Sequence, residues 1–260
     1  MAGRVAMGRR PLVSVDAKGY GSATGRRQVA WQVGLTDMLA ASAEAAGLRR
    51  AEWDCQQGGD GELAVLPADE PENVLIDDFP RELADQLADF NEDRRDDARL
   101  RLRLAIHHGV VEPAANGYAG AGAVVVSRLV DAPATRAAQV AAPRADLVVI
   151  LSNPVFVDTV AQGHTALRPG RFRRVVVTNK EFSEDAWLYV PGFDVHQLDL
   201  DRTGSPTAEA GEKAPGKPRN RKPADGSPRR TPRNRADIVN VFKGTVNAGV
   251  IGVHNGDVHG

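Results

Sequence analysis

A proline-rich, basic stretch from residue 201 to residue 235 limits how much of this 260-residue chain can fold as one domain. The stretch holds six of the sixteen prolines and shows no apolar periodicity. A segment of this composition cannot bury enough apolar surface to offset its ordering entropy. The pattern therefore predicts a disordered linker over 199–237, between a folded domain over 1–198 and a short C-terminal segment over 238–260.

Charge is segregated in the same way. Residues 201–235 carry ten Lys or Arg and four Asp or Glu, a net charge of +6. The whole chain carries −1 and its last 25 residues contribute −1, so residues 1–200 carry −6. The basic stretch lacks interleaved aromatic residues, which favours a solvated, self-repelling tether over a nucleic-acid contact.

The cysteine count and the hydropathy pattern restrict the compartment. A single cysteine, Cys55, excludes an intramolecular disulfide. The sequence has no apolar signal segment near Met1 and no apolar run of membrane length. These features predict a cytoplasmic protein without a membrane partner.

Strand and helix patterns alternate before the linker. An apolar run ends at Asp16, helical spacing follows over 29–46, and a glycine-rich hairpin spans 52–66. Further helical and strand patterns continue to residue 190. The order βαββαβ predicts an α/β, ferredoxin-like fold with a mixed or antiparallel sheet and helices on one face.

Two aspartates stand where these strands are expected to end or turn. Asp16 lies in SVDAKGYG, and Asp60 lies at the tip of the hairpin QQGGDGELAVLP. Divalent cations that handle triphosphates take hard oxygen ligands, usually one or two carboxylates plus the phosphates. The pair therefore predicts a two-metal nucleotide site, although either aspartate alone is typical of a turn or a cap.

The order of these motifs resembles the catalytic domain of class III nucleotidyl cyclases. The similarity covers about residues 10–192 and includes AIHHG, GYAGAGAVVVSRLVDA and VVVTNKEFSEDAWLYVP. It implies a homodimer that cyclises a nucleoside triphosphate, with two Mg²⁺ or Mn²⁺ ions held by Asp16 and Asp60. It also implies that Arg128 stabilises charge on the phosphates in the transition state. The GGDGE string resembles the hairpin of diguanylate cyclases as well, but the downstream segment favours class III.

Three positions depart from the family pattern. The family asparagine four residues before Arg128 is Val124, and the two base-selecting positions are Gln56 and Gly117. Tyr20 joins Gln56 and Gly117 as a candidate base contact, but the choice of nucleotide does not transfer. With these departures, the sequence resembles the divergent cyclases of bacterial antiphage systems. Val124 also keeps a second hypothesis open, a catalytically weakened nucleotide sensor, which retention of both aspartates opposes.

The last 21 residues, NVFKGTVNAGVIGVHNGDVHG, alternate apolar with small or polar residues. The segment resembles bacterial amyloid-signalling motifs related to the RHIM. This resemblance implies self-association, or a partner protein with a matching motif, through in-register stacking of identical strands. A disordered or β-docking tail is the alternative.

Overall fold

Strands and helices alternate through the part of the chain described by this computed structural model, which comprises residues 7–115, 117–179 and 182–201. The strands are β1 (Gly8–Ala17), β2 (Asp54–Gln57), β3 (Gly61–Val65), β4 (Leu102–Ala114), β5 (Gly117–Ala119), β6 (Leu147–Ser152), β7 (Arg173–Asn179) and β8 (Phe182–Tyr189). The helices are α1 (Gly25–Ala45), α2 (Glu72–Ile76), α3 (Asp78–Asn91), α4 (Ala121–Val130), α5 (Pro133–Ala141) and α6 (Asn153–Val155), the last followed by a π-helical turn (Phe156–Val160). The predicted linker from residue 202 and the predicted C-terminal motif lie outside the described residues.

One mixed sheet organises the domain. Its strand order is β2-β3-β1-β4-β6-β8-β7, and β5 pairs with the far end of β4. Every pairing is antiparallel except that of β4 with β6. The first four strands in this order, with α1 and α3, form the predicted βαββαβ unit. The predicted α/β class and its mixed, largely antiparallel sheet are therefore confirmed.

Helices cover both faces of the sheet, which differs from the prediction of helices on one face. Within the βαββαβ unit, α1 and α3 pack on one face around Leu39, Leu83 and Leu104. The later helices α4 and α5 pack on the other face, around Val126 and Ile150. Strand β6 is consequently buried on both sides. Its sequence is a continuous apolar run, which does not show how many layers of helices cover it.

The buried face of α1 also differs in part from the predicted one. The helical spacing over 29–46 rests on Val29, Val33, Leu35, Leu39 and Ala43. Leu35, Leu39 and Ala43 do face the core, but Val29 and Val33 are 61% and 58% exposed. The rest of the buried face consists of Trp31, Gly34, Met38 and Ser42. Within the described ranges, no helix is long and apolar enough to span a bilayer.

A buried histidine in β4 couples the stability of the domain to pH. His107 is 7% exposed, and its Nδ1 lies 2.9 Å from the Ser152 hydroxyl. Burial, and to a smaller extent His108 and Arg9, lower the pKa of His107 to about 4. Because the pKa of an unfolded histidine is about 6.5, protons bind the unfolded chain more tightly than the folded one.

His107 should therefore cost nothing well above pH 6.5 and should destabilise the domain as the pH falls towards 4. Between pH 7 and pH 5 its contribution to the free energy of unfolding should fall by about 2 kcal/mol. Urea denaturation of wild type and His107→Gln at both pH values measures this loss, which the variant should lack. The exposed His196→Gln is the matched control. Equal pH dependence in wild type and both variants would contradict the assignment.

Candidate active site

The two predicted metal aspartates lie at the same end of two neighbouring strands. Asp16 pairs with Gly61 in the β1–β3 register, and the Ala17 amide donates to the Asp60 carbonyl at 2.7 Å. Asp60 belongs to the turn between β2 and β3 and is exposed. The predicted glycine-rich hairpin therefore forms, with Asp60 at its tip and beside the end of β1.

Gly61 is required for this approach. A Cβ at residue 61 would lie 2.0 Å from the Val15 carbonyl oxygen, a distance that backbone atoms cannot tolerate. We expect Gly61→Ala to separate β3 from β1 and to cost about 3 kcal/mol of unfolding free energy. Gly21→Ala is the matched control, because a Cβ there meets nothing within 4 Å. Urea denaturation measures the unfolding free energy of both variants. Equal stability of the two would show that the hairpin does not depend on this close approach.

Asp16 lies inside β1, one residue before the strand ends and close to the end that the sequence predicts. The strand continues to Ala17, and the Asp16 side chain is 19% exposed. Its Oδ2 forms a salt bridge with Arg103 Nη2, and Arg103 is the residue opposite Asp16 in the β1–β4 register. The strand extends because β4 provides a paired neighbour along its whole length.

Arg103 is a site residue that the sequence analysis missed. Its side chain is 11% exposed, and its Nε is buried without a hydrogen-bond partner among the described residues. Burial, and then repulsion by Arg136, lower the pKa of Arg103. In the sequence, Arg103 lies between Leu102 and Leu104, an alternation that predicts a solvent-facing arginine. Its partner, Asp16, is identified only by the register of β4 against β1.

The oxygen ligands at this end of the sheet suit Mg²⁺ or Mn²⁺, but the protein supplies only a few such ligands. Asp16 and Asp60 offer carboxylate oxygens, the ligand type that both ions prefer. No group of three or more His, Cys, Asp or Glu side chains suited to a metal occurs in the described part of the chain. A metal at this end of the sheet would therefore need phosphate oxygens as well, and it would compete with Arg103 for Asp16.

The candidate base contacts lie along the β2–β3 hairpin. Gln56 in β2 packs against Gly117 in β5 so closely that a Cβ at 117 would lie 2.4 Å from the Gln56 Oε1. Gly117 also has a φ of +108°, which disfavours a side chain. Tyr20 lies near the hairpin tip, where its ring is 3.6 Å from the Cβ position of Gly59. The structure thus brings Gln56 and Gly117 together and places Tyr20 beside Gly59 at the hairpin tip.

A second contact between β5 and β2 was also missed by the sequence analysis. The Tyr118 hydroxyl donates to Asp54 at 2.5 Å, and burial followed by this hydrogen bond raises the pKa of Tyr118. Tyr118 follows Gly117, and Asp54 precedes Gln56 by two residues. The Tyr118–Asp54 hydrogen bond therefore holds the two candidate base positions in register.

Arg128 lines a cavity that includes neither aspartate. It is on α4, in a cavity of about 390 Å³ whose polar lining is Ser127, Arg128, Asp131, Arg136 and Thr178. Neither Asp16 nor Asp60 lines this cavity. Val124, at the position of the family asparagine, is also on α4 and is 45% exposed.

Comparisons with known proteins show what this architecture resembles. No protein-family model and no curated protein matches the sequence. Among solved structures, an adenylate/guanylate cyclase/hydrolase from Silicibacter pomeroyi is similar at a TM-score of 0.50 and 16% identity, over 72% of this chain and 99% of that one.

Two further structures are similar at lower scores. A bacterial light-regulated adenylyl cyclase has a TM-score of 0.49 and 11% identity, over 70% of this chain and 90% of that one. The guanylate cyclase domain of RhGC from Catenaria anguillulae, in complex with GTP, has a TM-score of 0.45 and 13% identity, over 70% of this chain and 95% of that one. The match to the Silicibacter pomeroyi structure shows that the described domain has the fold of class III adenylate/guanylate cyclase catalytic domains.

Proposed function

We propose that this chain is a metal-dependent nucleotidyl cyclase, which converts a nucleoside triphosphate to a 3′,5′-cyclic nucleotide and pyrophosphate. The observation that carries the proposal is the placement of Asp16 and Asp60 at one end of adjacent strands. The same constellation includes a buried arginine, Arg103, against Asp16. The cyclase fold alone would not support this assignment, because one fold hosts many functions.

Asp16 and Asp60 are the residues that would hold two Mg²⁺ or Mn²⁺ ions together with the phosphates. Such ions lower the pKa of the ribose 3′-hydroxyl and neutralise the triphosphate. Arg103 balances the Asp16 carboxylate before the ions bind. With Asp16 engaged by an ion, the Arg103 guanidinium would be available to donate to phosphate oxygens, for which its planar fork is suited.

A head-to-tail homodimer explains the position of Arg128. The guanidinium lines a cavity that excludes the aspartates of its own chain. In a symmetric dimer the same cavity of a second copy can face the aspartates of the first, so that each site combines residues of both chains. Arg128 would then stabilise the charge that develops on the phosphates in the transition state.

Gln56 is the best-placed side chain for reading the base, with Gly117 leaving the space that the Gln56 amide occupies. An amide both donates and accepts hydrogen bonds, so it does not by itself select adenine or guanine. Tyr20 is a candidate stacking surface at the hairpin tip.

The function is tested by incubating the purified full chain with each of the four nucleoside triphosphates and Mn²⁺, and by analysing the products by mass spectrometry. We expect one or more triphosphates to give a product lighter by pyrophosphate. Absence of a cyclic product from all four, at protein concentrations that support dimers, would contradict the assignment.

A nucleotide sensor without turnover is the second candidate, and Val124 favours it. This exposed, apolar side chain replaces a polar donor of the family, and loss of one transition-state donor costs about a hundredfold or more in rate. The sensor is supported if a triphosphate binds with Mg²⁺ but gives no product.

For both candidate functions, we propose that residues 238–260 recruit further copies of the chain or a partner with a matching motif, in a signalling, antiphage-type response.

A further inference from the structure

A basic cavity opens beside the loop that follows β1. It has a volume of about 200 Å³, and its charged lining consists of four cations and two carboxylates: Lys18, Arg27, Arg99, Arg101, Asp96 and Asp97. The lining therefore carries a net charge of +2. Asp16 and Asp60 do not line this cavity, although Lys18 follows Asp16 by only two residues.

Two of the arginines already have carboxylate partners. Arg99 donates from both Nε and Nη2 to Asp146, and Arg27 donates to the backbone carbonyl and the carboxylate of Asp97. These interactions bind the guanidinium groups to the protein and balance their charge. They leave little positive charge for a ligand.

Among the described residues, the other two cations make no hydrogen bond or ion pair with a carboxylate. Arg101 donates to three neutral backbone carbonyls, those of Gln139, Ala142 and Ala145. The half-buried ammonium of Lys18 has no hydrogen bond or ion pair with any described residue. Lys18 and Arg101 are held close, because the Lys18 amide donates to the Arg101 carbonyl at 2.9 Å. Two neighbouring cations that are not hydrogen-bonded to a carboxylate form a site that an anion would stabilise.

We propose that this cavity binds a phosphoryl anion, with Lys18 as its direct contact and Arg101 as a fixed positive charge behind it. The first turn of α1 adds no acidic residue that would repel the anion. The anion is either the terminal diphosphate of a bound nucleotide or free pyrophosphate. The inference rests on the proposed function for its natural ligand, but the binding itself requires neither metal nor turnover.

The test is isothermal titration of the full chain with pyrophosphate in EDTA at about 0.15 M salt, where exposed charges more than about 8 Å apart are screened. We expect Lys18→Met to weaken pyrophosphate binding at least about tenfold, the effect of losing a charge-assisted hydrogen bond. Lys18→Arg should retain binding. The matched control is Arg26→Met, which removes a positive charge from an exposed residue of α1 outside the cavity and should change the affinity less than twofold.

Equal weakening by Lys18→Met and Arg26→Met, or no pyrophosphate binding by the wild type, would overturn the proposal. If a nucleoside triphosphate competes with pyrophosphate in the same titration, the anion is the nucleotide tail; if both bind together, the cavity takes free pyrophosphate. Asp60→Asn distinguishes this inference from the proposed function, because that variant should lose cyclisation and retain metal-free pyrophosphate binding.

Discussion

Replacement of Asp60 by asparagine is expected to abolish cyclic-nucleotide formation while the domain stays folded. Asp60 is exposed at the hairpin tip, and its described tertiary contact is made by the backbone carbonyl, which asparagine keeps. Loss of an outer-shell partner of a metal typically costs ten- to a hundredfold in activity. Loss of a ligand itself should therefore exceed about a hundredfold.

The matched control for Asp60→Asn is Asp37→Asn, which removes one carboxylate from an exposed position of α1. Cyclic product is measured by mass spectrometry with Mn²⁺, and folding by circular dichroism. Full activity of Asp60→Asn would show that Asp60 is not a metal ligand of the active site. Equal losses in both variants would point to a general charge effect.

A mutational test of Asp16 requires a different substitution, because Asp16 is paired with the buried Arg103. Removing one partner of a buried ion pair leaves an uncompensated charge. Asp16→Ala would therefore lose stability as well as activity, whereas asparagine keeps an acceptor for Arg103. This is why Asp60, not Asp16, gives the clean test of the metal site.

Mixing two inactive variants is expected to restore activity if, as proposed, each site draws residues from both chains of a dimer. Asp60→Asn and Arg128→Ala should each be inactive as homodimers. In a random equimolar mixture half of the dimers are mixed, and one of their two sites carries both defects while the other carries neither. The mixture should therefore reach about a quarter of wild-type activity.

Differently tagged variants, purified together, show whether mixed dimers form. No activity in verified mixed dimers would mean that the site is built within one chain. In that case Arg128 would have to reach the aspartates of its own chain, from a cavity that they do not line.

The β1-α1-β2-β3-α3-β4 order could be predicted from the sequence, because each element has its own periodicity and the GGDG turn is local. The position of Asp60 followed from the same local signals. Arg103 could not be predicted, since its role depends on the register that sets it opposite Asp16. The sequence of β4 alone shows only an arginine between two leucines.

Lys18 illustrates the same limit for the basic cavity. Its neighbours Arg99 and Arg101 are about 80 residues away in the chain, and they approach it only because the end of β1 lies beside the start of β4. The second helical layer was missed for a related reason. Residues of β6 are buried on both faces of the sheet. An apolar run in the sequence does not show which helices cover each face of the strand.

The most direct test of the central claim is the stoichiometry of the products. Purified wild type and Asp60→Asn are each incubated with the triphosphate that reacts and Mn²⁺, and cyclic nucleotide and pyrophosphate are quantified in the same samples. We expect one pyrophosphate per cyclic nucleotide in the wild type, and neither product in the variant. Release of inorganic phosphate without a cyclic product, or equal cyclisation by the variant, would contradict it.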